Sequence, residues 1–346
     1  MTGQIRMSPD DPIVVTGAGG FIGGHLVADL VRDGFTNIRA VDGKTLDQWY
    51  QRAPGVRCLE ADLRDSVVCR AVTRDARWVF DLAADMGGMG FIEANRARCM
   101  LSVLINTNLL LGAVQHGVER YFFASSACVY NVDKQRRADV TALCEEDAYP
   151  AAPEDGYGWE KLFSERMCRH FTEDFGLATR VARYHNVYGP NGTWDGGREK
   201  APAAICRKVA QAKLYGRSTI EVWGDGRQTR SFTYIDDCVE GTLRIFSSAH
   251  SDPLNLGSEE LISIDDLVTM VEDIAGVKLK RLYQPDAPKG VRGRNSDNTR
   301  IREVLGWAPS TSLQQGMERT FAWVYDQIRA GRLDPDARGA ALSPTA

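Results

Sequence analysis

The chain has 346 residues, of which 43% are hydrophobic and 25% charged, with a formal net charge of -4 at pH 7. It is long enough for one large α/β unit or two lobes with a substantial core. The acidic balance argues against nucleic acid or a polybasic membrane surface as a partner.

Strand-like and helix-like segments alternate through the first half of the chain. Apolar runs typical of buried strands cover 13–17, 38–42, 56–63, 76–84, 120–126 and 179–189. Such runs, separated by helices, indicate a parallel sheet covered on both faces. We therefore predict an α/β fold of the Rossmann type, a doubly wound parallel sheet with a smaller C-terminal substrate-binding lobe. The predicted bounds are 11–189 for the sheet domain, 190–330 for the lobe with returning Rossmann segments, and 331–346 for a disordered tail.

Targeting and redox features are sparse. The N-terminus lacks an apolar signal core, and no apolar run approaches the roughly 20 residues of a membrane span. The eight cysteines show neither a CxxC pair nor the spacing of a zinc site. We expect a cytoplasmic protein with free thiols and no metal.

The first strand runs directly into a glycine-rich turn, "VTGAGGFIGGHL", with glycines at 17, 20 and 23. Gly17 permits the tight turn, Gly20 lets the backbone approach a pyrophosphate, and Gly23 lets the helix pack on the strand. Phe21 and Ile22 open the helix, whose N-terminus faces the phosphates. The spacing, GxxGxxG, is a variant of the common GxGxxG dinucleotide motif. Further evidence for a dinucleotide therefore has to come from the residue that ends the second strand.

That second strand ends at Asp42, where a carboxylate accepts bonds from ribose hydroxyls and repels a 2′-phosphate. NAD is therefore favoured over NADP. Asp62 and Leu63, which follow the third strand, are candidates for contact with the adenine.

"YGWEK" places Tyr157 and Lys161 four residues apart on one helix face. A lysine there can depress the tyrosine pKa, so that the phenolate acts as a base on an alcohol. Ser126, at the end of a predicted strand, would hydrogen-bond the same alcohol.

With these motifs the chain resembles the extended short-chain dehydrogenase/reductase family of nucleotide-sugar enzymes, over about residues 12–325. Five stretches are similar to the branch that epimerises GDP-mannose at C3 and C5. They are "ADMGGMGFI", "ASSACVY", "RYHNVYGPNGTWDGGREKAPAA", "WGDGRQTRSFTYIDDCVEG" and "GVRGRNSDN". The resemblance implies bound NAD, a GDP-hexose substrate and a homodimer.

The same resemblance implies a mechanism. Tyr157 removes the O4 proton as C4 is oxidised, and the 4-ketone makes the C3 and C5 protons acidic. Cys128 and Lys200 then serve as acid and base on opposite ring faces, with the thiol pKa lowered by electropositive neighbours. The products would be GDP-L-gulose after C5 inversion, GDP-L-galactose after C3 and C5 inversion, or both.

Substrate contacts are carried over in the same way. The hexose pocket is expected to contain Gly87, Ser126, Ala127, Cys128, Asn186, Glu199 and Lys200. The nucleotide diphosphate is expected to be held by Lys208, Gln228, Arg230 and Arg294, because arginine forks suit phosphate oxygens.

Other functions remain open at this point. A 4-epimerase needs only the serine, tyrosine and lysine, which would leave Cys128 and Lys200 incidental. A 4,6-dehydratase is disfavoured because Ala127 and Cys128 occupy the place of its acidic pair. Asp42 disfavours an NADPH-consuming reductase, and the intact YxxxK motif disfavours a non-catalytic NAD-binding protein.

Overall fold

The computed structural model describes residues 5–332. Its strands are β1 (Ile13–Thr16), β2 (Ile38–Asp42), β3 (Arg57–Glu60), β4 (Trp78–Asp81), β5 (Arg120–Ser126), β6 (Ala178–Tyr184), β7 (Val187–Tyr188), β8 (Thr219–Trp223), β9 (Thr229–Arg230), β10 (Thr233–Tyr234), β11 (Leu254–Leu256), β12 (Ile262–Ser263), β13 (Lys280–Gln284) and β14 (Gly293–Arg294). Seven of them form one parallel sheet in the order β11-β6-β5-β4-β1-β2-β3.

The helices are α1 (Phe21–Arg32), α2 (Ser66–Thr73), α3 (Met89–Ala94), α4 (Arg96–Met100), α5 (Ser102–Gln115), α6 (Tyr157–Phe175), α7 (Ala201–Tyr215), α8 (Ile235–Ser247), α9 (Ile264–Ala275), α10 (Thr299–Leu305) and α11 (Leu313–Arg329). They cover both faces of the large sheet, so the predicted doubly wound α/β fold is confirmed.

Side-chain alternation along the strands divides the interior into two cores. Phe122 of β5 packs in the core that includes Leu26 of α1 and Phe246 of α8. Its neighbours Tyr121 and Phe123 point to the other face and pack with α2, α5 and α6. Both faces of each central strand are therefore buried, which explains why these strands are continuous apolar runs.

Smaller elements form the second lobe. Helix α7 packs against α9 and α11. Strands β8 and β13 form a parallel pair, and β9 lies between β12 and β14. Strand β11 and helix α8 follow residue 190 yet pack with the large sheet. The domain division at 190 stays a prediction, and the predicted tail from 333 onward lies outside the described residues.

The expectation that no apolar stretch approaches the length of a membrane span is wrong. The helical stretch Arg96–Gln115 has the length and apolar composition of a membrane span. One face of this stretch nevertheless packs inside the protein. Helix α5 packs against α2 and α6, and the buried Asn106 side chain accepts a hydrogen bond from Tyr121 (3.0 Å).

Helix α6 is fixed to the sheet by a buried ion pair. Glu165 of α6 lies 2.7 Å from Arg183 of β6, and both side chains are almost fully buried. Ser125 of β5 donates a further hydrogen bond to Glu165. A buried charge that loses its partner is strongly destabilising.

We expect Glu165→Gln to lower the free energy of unfolding by about 3 kcal/mol, because Arg183 would remain buried without a counter-charge. Urea unfolding measures the change. Glu173→Gln removes an exposed ion pair with Arg169 on the same helix and should have no measurable effect. Equal losses in the two variants would contradict the prediction.

Candidate active site

The turn between β1 and α1 has the shape required for a dinucleotide. Gly17 has a φ of +66°. A Cβ added at Gly23 would lie 2.2 Å from the Gly17 carbonyl oxygen, so only glycine fits. No side chain caps α1 at Gly20, which leaves the first N–H groups of the helix, beginning at Phe21 and Ile22, able to bind phosphate.

Asp42 shapes this turn as well as closing β2. Its carboxylate accepts hydrogen bonds from the backbone N–H of Gly19 (3.0 Å) and of Lys44 (2.9 Å). A negative charge held beside the glycine turn favours NAD over a 2′-phosphorylated cofactor.

The other predicted adenosine contacts differ in accessibility. Asp62 is exposed and paired with Arg64. Leu63 is buried, so its side chain has little surface for adenine. Its backbone carbonyl accepts a hydrogen bond from the Cys69 thiol (2.9 Å). Trp49, which the sequence reasoning missed, packs its ring where a Cβ on Gly19 would lie.

A cavity of about 370 Å³ opens beside the carboxyl end of β5. Its wall contains every predicted catalytic and substrate-binding residue except Lys161: Gly87, Ser126, Ala127, Cys128, Tyr157, Asn186, Glu199, Lys200, Lys208, Gln228, Arg230 and Arg294. These residues come from distant parts of the sequence. The fold therefore brings the predicted set together.

Lys161 is buried behind Tyr157. Its Nζ lies 5.5 Å from the centre of the Tyr157 ring and 4.6 Å from that of Phe123. The expectation of a depressed tyrosine pKa is wrong for this protein as it stands. Burial raises the Tyr157 pKa well above its usual value, Cys128 and Glu160 add to the rise, and Ser126 opposes it.

Cys128 lies in a short 3₁₀ turn, Ala127–Val129, that follows β5. The Ser126 hydroxyl accepts a hydrogen bond from the Cys128 N–H (3.2 Å). A Cβ added at Gly158 would lie only 2.4 Å from the Cys128 carbonyl oxygen. Glycine at 158 therefore lets the start of α6 lie directly against the cysteine.

The thiol is also more strongly protonated than expected. Burial raises the pKa of Cys128 to about 11, and the charge of Glu154 adds to the rise. Arg294, whose Nη1 lies 3.6 Å from Sγ, acts in the opposite direction. The prediction of a lowered thiol pKa is wrong because burial outweighs the cation.

Lys200 precedes α7 as its N-cap residue. Burial lowers its pKa, and the nearby Cys128 opposes that shift. Within residues 5–332 no hydrogen bond or ion pair engages its Nζ. The amine is thus available to a ligand in the cavity.

Hydrogen bonds fix the two loops that contain Gly88 and Glu199. Gly88 N–H donates to the Arg198 carbonyl (2.9 Å). Glu199 accepts from Arg207 (2.9 Å) and from the Gly197 N–H (2.7 Å). Both Glu199 oxygens are thereby engaged, which fixes the loop that carries Lys200.

The predicted diphosphate residues divide between two places. Lys208 Nζ donates to the Glu221 carbonyl (3.0 Å) and Gln228 to the Trp223 carbonyl (2.8 Å). Arg230 donates to the Val291 carbonyl (2.6 Å), and burial lowers its pKa to about 10. The Gln228 Oε1 atom is buried without a partner.

Arg294, the fourth predicted diphosphate residue, lies beside Cys128. Its Nε donates to Gln135 (2.7 Å), Nη2 donates to Glu154, and Nη1 contacts Cys128. Diphosphate binding by Arg294 stays a prediction. In the structure its guanidinium contacts the Cys128 thiol and the Glu154 carboxylate. Glu154 was missed by the sequence reasoning, although an acid three residues before Tyr157 was a visible signal.

Asn186 completes the wall, with φ at +44° and its Nδ2 donating to the Ser231 carbonyl (3.1 Å). Among residues 5–332 no cluster of histidine, cysteine or acidic side chains could hold a metal ion. All eight cysteines are free.

Comparison with known proteins identifies the relatives of the chain. Residues 13–257 match the model of the NAD dependent epimerase/dehydratase family. The chain is 47% identical over 320 residues to GDP-mannose 3,5-epimerase 1 of Oryza sativa subsp. indica, covering 91% of this chain and 82% of that protein. It is 46% identical over 335 residues to GDP-mannose 3,5-epimerase of Arabidopsis thaliana, covering 96% and 85%. The solved structure of MoeE5 in complex with UDP-glucose and NAD matches with a TM-score of 0.77 and 29% identity, covering 92% and 99%.

The raised thiol pKa predicts how Cys128 reacts with iodoacetamide. Because only the thiolate reacts, the alkylation rate should rise about tenfold per pH unit from pH 7 to pH 10 without levelling off. Mass spectrometry of the Cys128 peptide follows the rate. Arg294→Gln should slow alkylation at every pH in this range, since it removes the cation that favours the thiolate. A plateau below pH 9 would contradict this assignment.

Proposed function

We propose a reaction from one premise: the chain belongs to the NAD dependent epimerase/dehydratase family, and NAD is its cofactor. It is an epimerase of the nucleotide-sugar class. We infer that its substrate is GDP-mannose and that it inverts C5, C3 or both through a transient 4-ketone. The products are then GDP-L-gulose, GDP-L-galactose or both.

One observation carries the proposal. Cys128 and Lys200 line the same cavity as Tyr157 and Ser126. A 4-epimerase needs only the last two with Lys161. Exchange of ring protons needs an acid and a base beside the sugar, and a thiol and an amine can supply them. The identity to curated GDP-mannose 3,5-epimerases supports the same conclusion.

Tyr157 and Ser126 act at the sugar O4. Bound NAD supplies the oxidation of the C4 alcohol and its later reversal. Tyr157 exchanges the O4 proton, and Ser126 hydrogen-bonds the same oxygen. The Lys161 ammonium, 5.5 Å from the tyrosine ring, is the cation of α6 that favours the phenolate.

Cys128 and Lys200 act at the carbons next to the ketone. Burial raises the pKa of the Cys128 thiol to about 11 and lowers that of the Lys200 amine, so the thiol becomes the weaker acid of the two. A lowered pKa makes the neutral amine more available as the base. At neutral pH Cys128 therefore starts with its proton, ready to donate it.

Deuterated water tests the proposal. Incubation with GDP-mannose should introduce deuterium at C5, at C3 or at both, because the acid on the opposite ring face delivers a deuteron that it has taken up from solvent. NMR of the sugar reads the positions and the new L-sugars. Cys128→Ala and Lys200→Met should each slow deuterium incorporation by about 100-fold or more, with NAD still bound.

Cys144→Ala provides the control, since Cys144 is a partly buried free thiol outside the cavity wall, and its rate should equal that of the unaltered protein. Inversion at C4 with no deuterium at either carbon would overturn the proposal in favour of a 4-epimerase.

A homodimer is the second part of the proposal. Large apolar side chains are exposed along neighbouring helices, namely Met100 and Leu101 beside α5, Leu104 and Leu111 on α5, and Trp159 and Phe163 on α6. We name this the α5–α6 surface. An exposed apolar patch of this kind favours a protein interface. A second copy could cover it with the same two helices, as two-fold symmetry allows.

The double variant Leu104→Glu with Phe163→Glu should convert a dimer to a monomer, because it buries two charges in the interface. Light scattering after size exclusion measures the mass. Leu282→Glu, at an exposed apolar site on β13, should leave the mass unchanged. A monomeric unaltered protein would remove this part of the proposal.

The cytoplasmic location also stays a prediction, which cell fractionation can test.

A further inference from the structure

The cavity holds a buried acid that the proposed reaction does not use. Glu154 lies in the loop before α6, lines the cavity and is only 8% exposed. Its Oε1 accepts a hydrogen bond from Arg294. Its Oε2 is buried and receives no hydrogen bond from any described residue.

The Glu154 carboxylate is ionised. Burial acts to raise its pKa, but Arg294 holds it below the usual value. A buried anionic oxygen without a donor is costly, and native structures rarely leave one so. Glu154 lines the cavity, so a hydroxyl of a bound ligand can supply the donor.

The protein itself offers only a weak alternative. The Cys128 thiol interacts with the Glu154 carboxylate. An S–H group is a poor donor beside a hydroxyl. A sugar hydroxyl that enters the cavity would therefore take the place of this contact.

The location of Glu154 limits which hydroxyl that is. Its N–H donates to the Cys128 carbonyl (3.0 Å), and Arg294 contacts both side chains. Under the proposed function, Cys128 faces C5 or C3 of the ring. The hydroxyls considered are O6, carried by C6 beside C5, and O3, carried by C3 itself.

We propose that Glu154 Oε2 accepts a hydrogen bond from the hexose hydroxyl at or beside the reacting carbon, O6 or O3, and thereby orients the ring against Cys128. This inference rests on the proposed function for the identity of the sugar. It makes Glu154 a substrate-binding residue that selects hexoses carrying that hydroxyl. The simpler alternative is that Glu154 serves only as the counter-ion of Arg294.

A cycle of variants and substrates separates the two. The variants are Glu154→Gln, which keeps an acceptor without the charge, and Glu154→Met, which removes the acceptor. The substrates are GDP-mannose and its 6-deoxy and 3-deoxy analogues. The measurements are kcat/KM from deuterium exchange and Kd from calorimetry, with thermal unfolding and NAD binding confirming that each variant folds.

For the unaltered protein, loss of the correct hydroxyl should lower kcat/KM and affinity by about 10-fold or more, the usual effect of a hydrogen bond to a charged group. Glu154→Met should lower both for GDP-mannose but show almost no further loss with the matching deoxy analogue. The kcat/KM and affinity of Glu154→Gln should lie between those of the unaltered protein and those of Glu154→Met. The analogue that shows this coupling identifies O6 or O3.

Glu145→Gln is the matched control. Glu145 is also a buried acid, but it accepts from the Asn255 N–H (2.9 Å) and lies outside the cavity wall. Its effect should be the same for every substrate. If the Glu154 variants also lose the same factor with all three substrates, the residue is only a counter-ion and the inference is overturned.

Failure of the proposed reaction would look different. Coupling in Kd without deuterium exchange would keep Glu154 as a hydroxyl acceptor and reject the 3,5-epimerisation. If GDP-mannose does not bind, the same cycle with UDP-glucose and its 6-deoxy and 3-deoxy analogues decides the role of Glu154. Absence of coupling in that series would overturn the inference.

Discussion

The close contact between the end of β5 and the start of α6 determines the geometry of the site. Gly158 has no side chain, so the first turn of α6 lies against the Cys128 carbonyl, which also accepts the Glu154 N–H (3.0 Å). One short junction therefore fixes the thiol, the carboxylate and the tyrosine relative to one another. A methyl group at 158 would have to push the helix or the turn away, since backbone cannot yield as a flexible side chain does.

Burial, rather than the nearest charge, governs the chemistry of these groups. Tyr157 and Cys128 both have raised pKa values although Lys161 and Arg294 are close. Removal of water disfavours every charged form, and the nearby cation does not offset that cost at Tyr157 or Cys128, whereas Arg294 does offset it at Glu154. The cavity wall nevertheless has six cationic side chains against three carboxylates: Lys200, Arg207, Lys208, Arg230, Lys289 and Arg294 against Glu154, Glu199 and Glu221. That excess of positive charge favours an anionic ligand such as a diphosphate.

The fold, the glycine turn and the Tyr157–Lys161 pair could be predicted from the sequence for physical reasons, whereas Lys200 and the substrate contacts were carried over from the family resemblance. Parallel strands buried on both faces are continuous apolar runs, the phosphate turn needs glycine, and helix geometry places residues four apart on one face. What it did not predict depends on contacts across the chain. Arg294 meets Glu154 at a sequence separation of 140 residues, and Trp49 reaches Gly19 from a segment with no motif. Raised pKa values follow from burial, which no short motif encodes.

The two ends of the cavity have different origins. Cys128, Tyr157 and Glu154 come from segments that join the large sheet, where strand pairing fixes the backbone. Lys208, Trp223 and Gln228 come from α7, β8 and the turn after it. Lys208 is held by a Glu221 carbonyl and Gln228 by a Trp223 carbonyl, so a change in β8 would move the far end without disturbing the thiol. Cys128 can therefore stay in place when the far end changes, because no described hydrogen bond joins Lys208 or Gln228 to the β5–α6 junction. Lys200 is linked to that end, since it caps the helix α7 that carries Lys208.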